Sequence, residues 1–188
     1  MPGDAEATRK RLLEAASEEF AAYGIAGARV DRIAARAASN KAQIYHYFGS
    51  KDALFDAVFD AMVEYTVRDV PIDPDDLPGY AGRLFDRHEE HPRIARIATW
   101  YRLERADSQS PIRAAVASNE HKVAAIAEAQ RSGRLPGRWT PEDLLALVLS
   151  ISGMWTALTP EAAMLYEGRS REQRRAVVTG AVAALLAG

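Results

Sequence analysis

Apolar residues recur every three or four positions along most of the chain, which is the period of an amphipathic helix. In the first such stretch, residues 7–23, Leu12, Ala16 and Phe20 share one face, and Gly24 follows where a helix commonly ends. No stretch alternates apolar and polar residues as a half-buried strand would. The pattern therefore predicts an all-α protein.

The next two predicted helices are short and lie close together in the sequence. They cover residues 30–37 and 41–48, and Asn40 is a favourable N-cap for the second. Two short helices joined by a tight turn are typical of a helix-turn-helix, whose second helix enters the major groove of DNA. Many all-α proteins without DNA-binding activity share this spacing, so the spacing alone leaves both alternatives open.

Six further helical stretches bring the predicted total to nine helices. They cover residues 52–68, 79–90, 92–106, 110–132, 141–158 and 171–187. The connector of residues 159–170 has room for another helical turn. Pro71, Pro74 and Pro78, with acidic residues around them, form the most loop-like stretch and the best candidate for a subdomain boundary.

The composition excludes several classes of protein. A chain of 188 residues with 48% hydrophobic and 27% charged residues is long enough for one globular domain or two small ones. Because it contains no cysteine, it has no disulfide, thiolate metal site or cysteine nucleophile. It also lacks a signal peptide and any run of roughly 18 apolar residues, so we expect a cytoplasmic protein without membrane contact.

The net charge of -2 hides an uneven distribution of charge along the chain. Residues 52–112 are rich in acidic side chains, whereas one acidic residue, Asp31, stands among five cationic ones between residues 29 and 51. Those cations are Arg29, Arg32, Arg36, Lys41 and Lys51. The positive segment coincides with the predicted helix-turn-helix, whose second helix adds Gln43, Tyr45 and His46, side chains able to reach base edges or phosphates.

Three segments of the chain carry a resemblance to a known family. Residues 8–16 read Thr-Arg-Lys-Arg-Leu-Leu-Glu-Ala-Ala, residues 31–34 read Asp-Arg-Ile-Ala, and residues 44–54 read Ile-Tyr-His-Tyr-Phe-Gly-Ser-Lys-Asp-Ala-Leu. Over about residues 8–62 the sequence resembles the N-terminal domain of the TetR family of bacterial transcriptional repressors. It departs from the family pattern at Ala38 and Ser39, where glycine and valine are usual, at Arg29, where Thr or Ser commonly caps the helix, and at Ala42, where glycine is common.

The resemblance implies a helix-turn-helix DNA-binding domain over residues 1–51 and an effector-binding and dimerisation domain over residues 52–188. It implies base contacts by Lys41, Ala42, Gln43 and His46, and phosphate contacts by Tyr45, Tyr47 and Lys51. Arg29, which departs from the family pattern, could also reach a phosphate. His46 and Tyr47 could instead pack the small domain. The DNA partner implied is a double-stranded inverted repeat, read by a homodimer whose two recognition helices lie one helical turn apart.

The resemblance also assigns roles to the rest of the chain. The last two predicted helices, residues 141–158 and 171–187, would pair with their copies in a second subunit, in keeping with their high apolar content. The effector would be a small hydrophobic molecule. Its candidate lining residues, which could equally be plain core, are Phe59, Met62, Tyr65, Phe85, His88, Trp100, Tyr101, Met154 and Trp155.

An enzyme is the competing functional class, and the sequence offers it little. His88 and His91 are three residues apart, whereas the zinc-protease motif needs four. There is no glycine-rich phosphate loop and no serine elbow. We therefore expect no catalytic residues, no metal and no cofactor. A DNA-binding regulator without a small-molecule effector stays open as an alternative.

Overall fold

The computed structural model describes residues 2–107 and 110–187, and within them it contains helices and no strand. The ten α-helices are α1 (Pro2–Gly27), α2 (Val30–Arg36), α3 (Lys41–Phe48), α4 (Lys51–Asp69), α5 (Leu77–Glu90), α6 (Pro92–Glu104), α7 (Arg113–Arg131), α8 (Pro141–Ser152), α9 (Pro160–Met164) and α10 (Arg171–Leu186). Two 3₁₀-helices cover Pro74–Asp76 and Met154–Ala157. The predicted all-α class is confirmed, with ten helices in place of nine.

The tenth helix, α9, lies in the connector between the last two predicted helices. Pro160 occupies its first turn, and the hydroxyl of Thr159 accepts a hydrogen bond from the Ala162 N–H at 3.3 Å. The helix before it, α8, ends at Ser152 and not at the predicted residue 158. Gly153 leaves helical geometry there with φ -97° and ψ 0°, and the chain continues as a 3₁₀-helix.

The chain forms two compact units, each with its own hydrophobic core. The first contains Met1–Glu64 and Pro92–Ala115, and the second contains Tyr65–His91 and Val116–Gly188. In the first, Phe20 meets Phe55 edge-on with ring centroids 5.1 Å apart. In the second, Tyr80 and Phe85 of α5 are buried in one core with Val178 of α10. The functional division after residue 51 that the resemblance implies stays a prediction.

Candidate nucleic-acid interface

Helices α2 and α3 are joined by the short turn that a helix-turn-helix requires. Ala38 has φ 48°, a left-handed conformation that glycine adopts more easily, and the Ser39 N–H donates to the Ala34 carbonyl at 2.9 Å. At the start of α3, the Asn40 side chain accepts the Gln43 N–H at 3.0 Å, as the sequence predicts for an N-cap. An alanine therefore adopts the conformation in this turn that would suit glycine.

The start of α2 is stabilised by a residue that the sequence reasoning missed. Arg29 makes no side-chain cap; its backbone N–H donates instead to Glu19 Oε1 of α1 at 3.0 Å. Glu19 is almost fully buried and forms an ion pair with Arg32. Burial acts to raise the pKa of Glu19, but the hydrogen bonds from Arg32 and from the Arg29 N–H outweigh it, so the pKa is lowered. An ionised Glu19 thus joins α1 to α2.

The two faces of α3 differ sharply in exposure. Ile44 is fully buried in the core of the first unit, and Tyr47 is half-buried against that core. The exposed side chains are Lys41, Ala42, Gln43, Tyr45 and His46. The His46 ring meets the Tyr47 ring edge-on at 5.3 Å between centroids. The structure therefore brings five of the predicted DNA-contacting residues together on one surface, with Tyr47 at its edge.

Gln43 is oriented by a neighbour that the sequence reasoning did not single out. The Ser39 hydroxyl donates a hydrogen bond to Gln43 Oε1. The Gln43 amide keeps its two N–H donors, and its carbonyl oxygen has a second lone pair. The spacing of four residues between Ser39 and Gln43 is the signal that could have revealed this contact.

Three of the cations in the basic segment have acidic partners. Lys41 pairs with Asp31 at 2.7 Å, Arg36 pairs with Glu18, and Arg32 pairs with Glu19. The hydrogen bond from Lys41 to Asp31, aided by the attraction between their charges, raises the pKa of Lys41. These ion pairs neutralise three of the basic side chains. The surface therefore carries less positive charge than the count in the sequence suggests.

Lys51, at the start of α4, makes contacts that its sequence position did not suggest. Its ammonium donates to the carbonyl oxygens of Ala26 and Ala28, at 3.1 and 3.2 Å. Because an ammonium has three N–H donors, one is left for another acceptor such as a phosphate.

Four of the predicted effector-lining residues, Phe59, Met62, Trp100 and Tyr101, lie in the first unit. Tyr101 packs against Phe59, with ring centroids 4.7 Å apart, and Met62 packs against the same core. The Trp100 indole donates to the Ala21 carbonyl at 3.3 Å. A surface pocket of about 530 Å³ at the end of α6 is lined by none of the nine predicted residues.

The other five, Tyr65, Phe85, His88, Met154 and Trp155, lie in the second unit. Phe85 is buried in the core, whereas Tyr65 is about half exposed, with Arg68 over its ring. Met154 is partly exposed, and the Trp155 indole donates to the Arg174 carbonyl at 3.3 Å. The aromatic residues therefore include both core side chains and more accessible ones.

Two ionisable groups of the second unit have their pKa lowered by burial. Burial lowers the pKa of the His88 imidazole, although a hydrogen bond with the Ser152 backbone opposes the change. In the described part of the chain, His88 Nδ1 is buried without a hydrogen-bond partner. Burial also lowers the pKa of Lys122, which donates to the Ser118 hydroxyl at 2.6 Å. The sequence reasoning did not single out Lys122.

Helices α8 and α10 have different inner and outer faces. Leu144, Leu145 and Val148 of α8 are buried in the core of the second unit with Val178 and Val182 of α10. These large apolar residues therefore serve the chain's own core. The exposed positions of α10 include small residues at helical spacing, namely Ala176, Gly180, Ala183 and Ala184.

Among the side chains that the structure describes, in residues 5–107 and 110–187, no group of three or more His, Cys, Asp or Glu is placed to hold a metal ion. Over the same ranges, no helix has both the length and the apolar character needed to cross a membrane.

Comparison with known families agrees with this geometry. Residues 12–58 match the tetR family of bacterial regulatory proteins, and residues 76–183 match the family described as the tetracyclin repressor-like C-terminal domain. The chain belongs to the TetR family. Its helix-turn-helix is therefore the DNA-binding element of a family of transcriptional regulators.

Individual relatives extend the similarity over nearly the whole chain. The HTH-type transcriptional repressor SCO4008 of Streptomyces coelicolor is 39% identical over 168 residues, which cover 88% of this chain and 86% of that protein. The crystal structure of the transcriptional regulator SCO4942, also from Streptomyces coelicolor, has a TM-score of 0.84 at 41% identity and covers 95% of this chain and 97% of its own. AibR in complex with isovaleryl coenzyme A and operator DNA shares the fold, with a TM-score of 0.69 at 20% identity over 95% of this chain and 98% of its own.

Proposed function

We propose that this TetR-family regulator is a repressor that binds an inverted-repeat operator as a homodimer and leaves it when a small hydrophobic effector binds. The observation that carries the proposal is the exposed face of α3, where polar and aromatic side chains surround Gln43 while Ile44 is buried. Repression is supported by the relative SCO4008, which is named a transcriptional repressor.

Base recognition depends on α3. Gln43 makes a two-point contact with adenine, using an amide N–H and the second lone pair of Oε1. The Ala42 methyl group contacts a thymine methyl, and Lys41 and His46 donate to neighbouring base edges. To donate to a base edge, the Lys41 ammonium gives up its ion pair with Asp31. These four residues determine which operator is bound.

Phosphate contacts supply most of the affinity. Tyr45, half exposed on α3, and Tyr47 at the edge of the surface donate through their phenolic hydroxyls. Arg29 contributes its guanidinium, and Lys51 contributes the N–H that the Ala26 and Ala28 carbonyls leave unused. Because every sequence presents the same phosphates, these side chains add affinity without selectivity.

The homodimer forms through α8 and α10. The small exposed residues of α10, from Ala176 to Ala184, allow the backbone of a second α10 to approach closely. Leu147 and Ile151, half-buried and four residues apart on α8, would complete a four-helix interface. Two subunits place two α3 helices on successive half-sites of the operator, which multiplies the discrimination of one short helix.

The effector binds among the candidate lining residues of the second unit, which include His88, Met154 and Trp155. AibR, whose complex contains an acyl coenzyme A and operator DNA, supports both kinds of partner for this fold. The buried Nδ1 of His88 accepts a hydrogen bond from a donor on the effector. The effector acts by a population shift toward a dimer whose recognition helices no longer match two half-sites.

The test of DNA recognition compares Gln43→Ala with the natural chain on an inverted-repeat duplex that the natural chain selects from a random-sequence library. Losing a two-point adenine contact weakens operator binding by about 5- to 150-fold and abolishes the preference at that base pair. Arg29→Ala is the comparison variant: it weakens binding to the selected and to a scrambled duplex by the same factor. An unchanged base preference in Gln43→Ala would contradict the recognition role.

The effector is tested by releasing the selected duplex with a panel of acyl coenzyme A thioesters and free fatty acids. Release by a member of the panel, with a weaker response in His88→Leu, supports a hydrophobic effector that hydrogen-bonds to Nδ1. No release by any member favours the alternative regulator without a small-molecule effector.

A further inference from the structure

Helix α1 is broken at Gly24, where the backbone has φ 72° and ψ -176°. In an uninterrupted helix, the Ala21 carbonyl would accept the Ile25 N–H four residues later. Here both of these groups form hydrogen bonds with α6. The Ala21 carbonyl accepts Arg96 Nε at 2.7 Å and the Trp100 indole at 3.3 Å.

The N–H groups beyond the break are held by a single carboxylate. Glu104, at the end of α6, accepts the Ile25 N–H on Oε1 at 3.2 Å and the Ala26 N–H on Oε2 at 2.7 Å. Two hydrogen bonds to a charged acceptor are stronger than bonds to neutral oxygens. Because Glu104 is 78 or more positions away in sequence, this contact positions two distant segments relative to each other.

The opposite side of the same segment is held by α4. The Lys51 ammonium donates to the carbonyls of Ala26 and Ala28. The connection from α1 to α2 is therefore bound by a carboxylate from α6 on its N–H side and by an ammonium from α4 on its carbonyl side. Since α2 begins at Val30, this connection sets where the helix-turn-helix starts.

Gly24 permits the close approach of α6. A Cβ atom at this position would lie 2.2 Å from Glu104 Oε1 and 2.9 Å from Trp100 Cε3. Its positive φ is also a conformation that side-chain-bearing residues rarely adopt. The lack of a side chain at Gly24 thus lets the Glu104 carboxylate reach the N–H groups of Ile25 and Ala26.

We infer that Glu104 is a positioning residue for operator binding, because it fixes the Ile25–Ala28 connection and with it the placement of α2 and α3 relative to α6. The inference depends on the proposed DNA-binding function. Base-edge contacts need side chains placed within a fraction of an ångström, whereas phosphate contacts tolerate displacement. Loss of the Glu104 contact therefore weakens the specific complex more than the non-specific one.

The charge of Glu104 makes the inference easy to test. Removal of a negative charge from a DNA-binding protein normally strengthens its binding to any DNA, because repulsion between like charges is lost. A positioning role for Glu104 predicts the opposite result for the operator. The two explanations therefore differ in the direction of the change.

The experiment uses the full chain, the selected inverted-repeat duplex and a scrambled duplex of the same length, with dissociation constants measured by fluorescence anisotropy at one salt concentration. Glu104→Ala weakens operator binding by about tenfold or more, since two charge-assisted hydrogen bonds are lost, and leaves scrambled-duplex binding unchanged or stronger. Glu104→Gln, whose amide oxygen can accept one of the two N–H groups, gives an intermediate value.

Asp107→Ala is the matched control, since it removes one exposed negative charge three residues further along the chain. It should not weaken operator binding. Operator binding of Glu104→Ala within twofold of the natural chain, with an unchanged thermal unfolding curve, would overturn the inference. Equal loss on both duplexes would also overturn it, since that pattern reports a disrupted fold. If the natural chain itself binds the two duplexes equally well, that result contradicts the proposed function and not the role of Glu104.

Discussion

Ala38 has a backbone conformation that its side chain disfavours. Its φ of 48° lies in the left-handed region, which costs a residue with a Cβ atom about 1 kcal/mol or more relative to glycine. Local hydrogen bonds hold the turn in place: the Ala38 N–H donates to the Ala35 carbonyl and the Ser39 N–H to the Ala34 carbonyl. The departure from the usual glycine thus leaves the turn intact at a small cost in stability.

Ala38→Gly is therefore expected to raise the free energy of unfolding by about 1 kcal/mol, which corresponds to roughly 2–4 °C in Tm. Thermal unfolding followed by circular dichroism measures the change. Ala35→Gly, at an exposed position inside α2 with a helical backbone, is the control and should lower stability by about the same amount. A loss of stability in Ala38→Gly would mean that the turn does not need a left-handed residue.

Individual contacts of the interface were predictable to different degrees. The sequence singled out Gln43 and Lys51, but not the Ser39 hydroxyl that orients the Gln43 amide or the carbonyls that Lys51 binds. The sequence did not indicate that Glu19 and Glu104 bind backbone amides, since each looks like an ordinary helix-surface acid. Their partners, the backbone amides of Arg29, Ile25 and Ala26, become available only where helices end or break.

At the scale of elements, the short helices α2 and α3 have nearly the predicted bounds, whereas α8 is shorter than predicted. Strong end signals explain why the bounds of α3 were predicted correctly, since Asn40 caps this helix and Gly49 ends it with φ 77°. The end of α8 is set differently. The His88 side chain of α5 hydrogen-bonds to the Ser152 backbone, where α8 stops and Gly153 begins the 3₁₀ turn. A contact between two helices cannot be read from apolar periodicity.

The contact between α5 and α8 makes stability depend on pH. Burial lowers the pKa of His88 from its ordinary value of 6.5, against the Ser152 hydrogen bond, while Arg87 lowers it further and Glu89 raises it. As the pH falls below about 6.5, the unfolded chain takes up a proton that folded His88 resists, so the free energy of unfolding decreases. Above about pH 7 both states are neutral and this contribution is constant.

We therefore expect His88→Gln, whose amide can still donate to the Ser152 carbonyl, to flatten the decline of Tm between pH 7 and pH 5. His91→Gln, at an exposed histidine close by in sequence, should leave the decline as it is in the natural chain. Calorimetric unfolding at half-unit intervals of pH measures the slopes. Identical slopes for His88→Gln and the natural chain would show that the imidazole is not protected from protonation.

At the scale of the whole molecule, charge pairing explains why segment counts mislead. The acidic excess of residues 52–112 is largely matched by arginines, some of them far away in sequence. Asp86 pairs with Arg171 and Arg175, and Asp75 pairs with Arg134. Surface pairs of this kind contribute little stability each, but they neutralise carboxylates that would otherwise give the segment a strong negative field.

Assembly is the second whole-molecule property, and the proposed α8–α10 interface predicts its response to mutation. Ala183→Arg places a bulky cation on the small-residue face of α10, so the chain should elute with a light-scattering mass near 20.6 kDa, whereas the natural chain gives twice that mass. Ala124→Arg, at an exposed position of α7, should leave the dimer intact. A dimeric Ala183→Arg would place the interface elsewhere.

The sequence by itself determined the helical class, the helix-turn-helix and the exposed face of α3, because periodicity, caps and turn residues act between neighbours in the chain. Only the tertiary structure decided which apolar residues of α8 and α10 are the chain's own core, which carboxylates are paired, and how α6 holds the break at Gly24. These features join residues dozens of positions apart. The local sequence sets which apolar and polar side chains each helix presents. Only packing determines which backbone groups and charges those side chains contact.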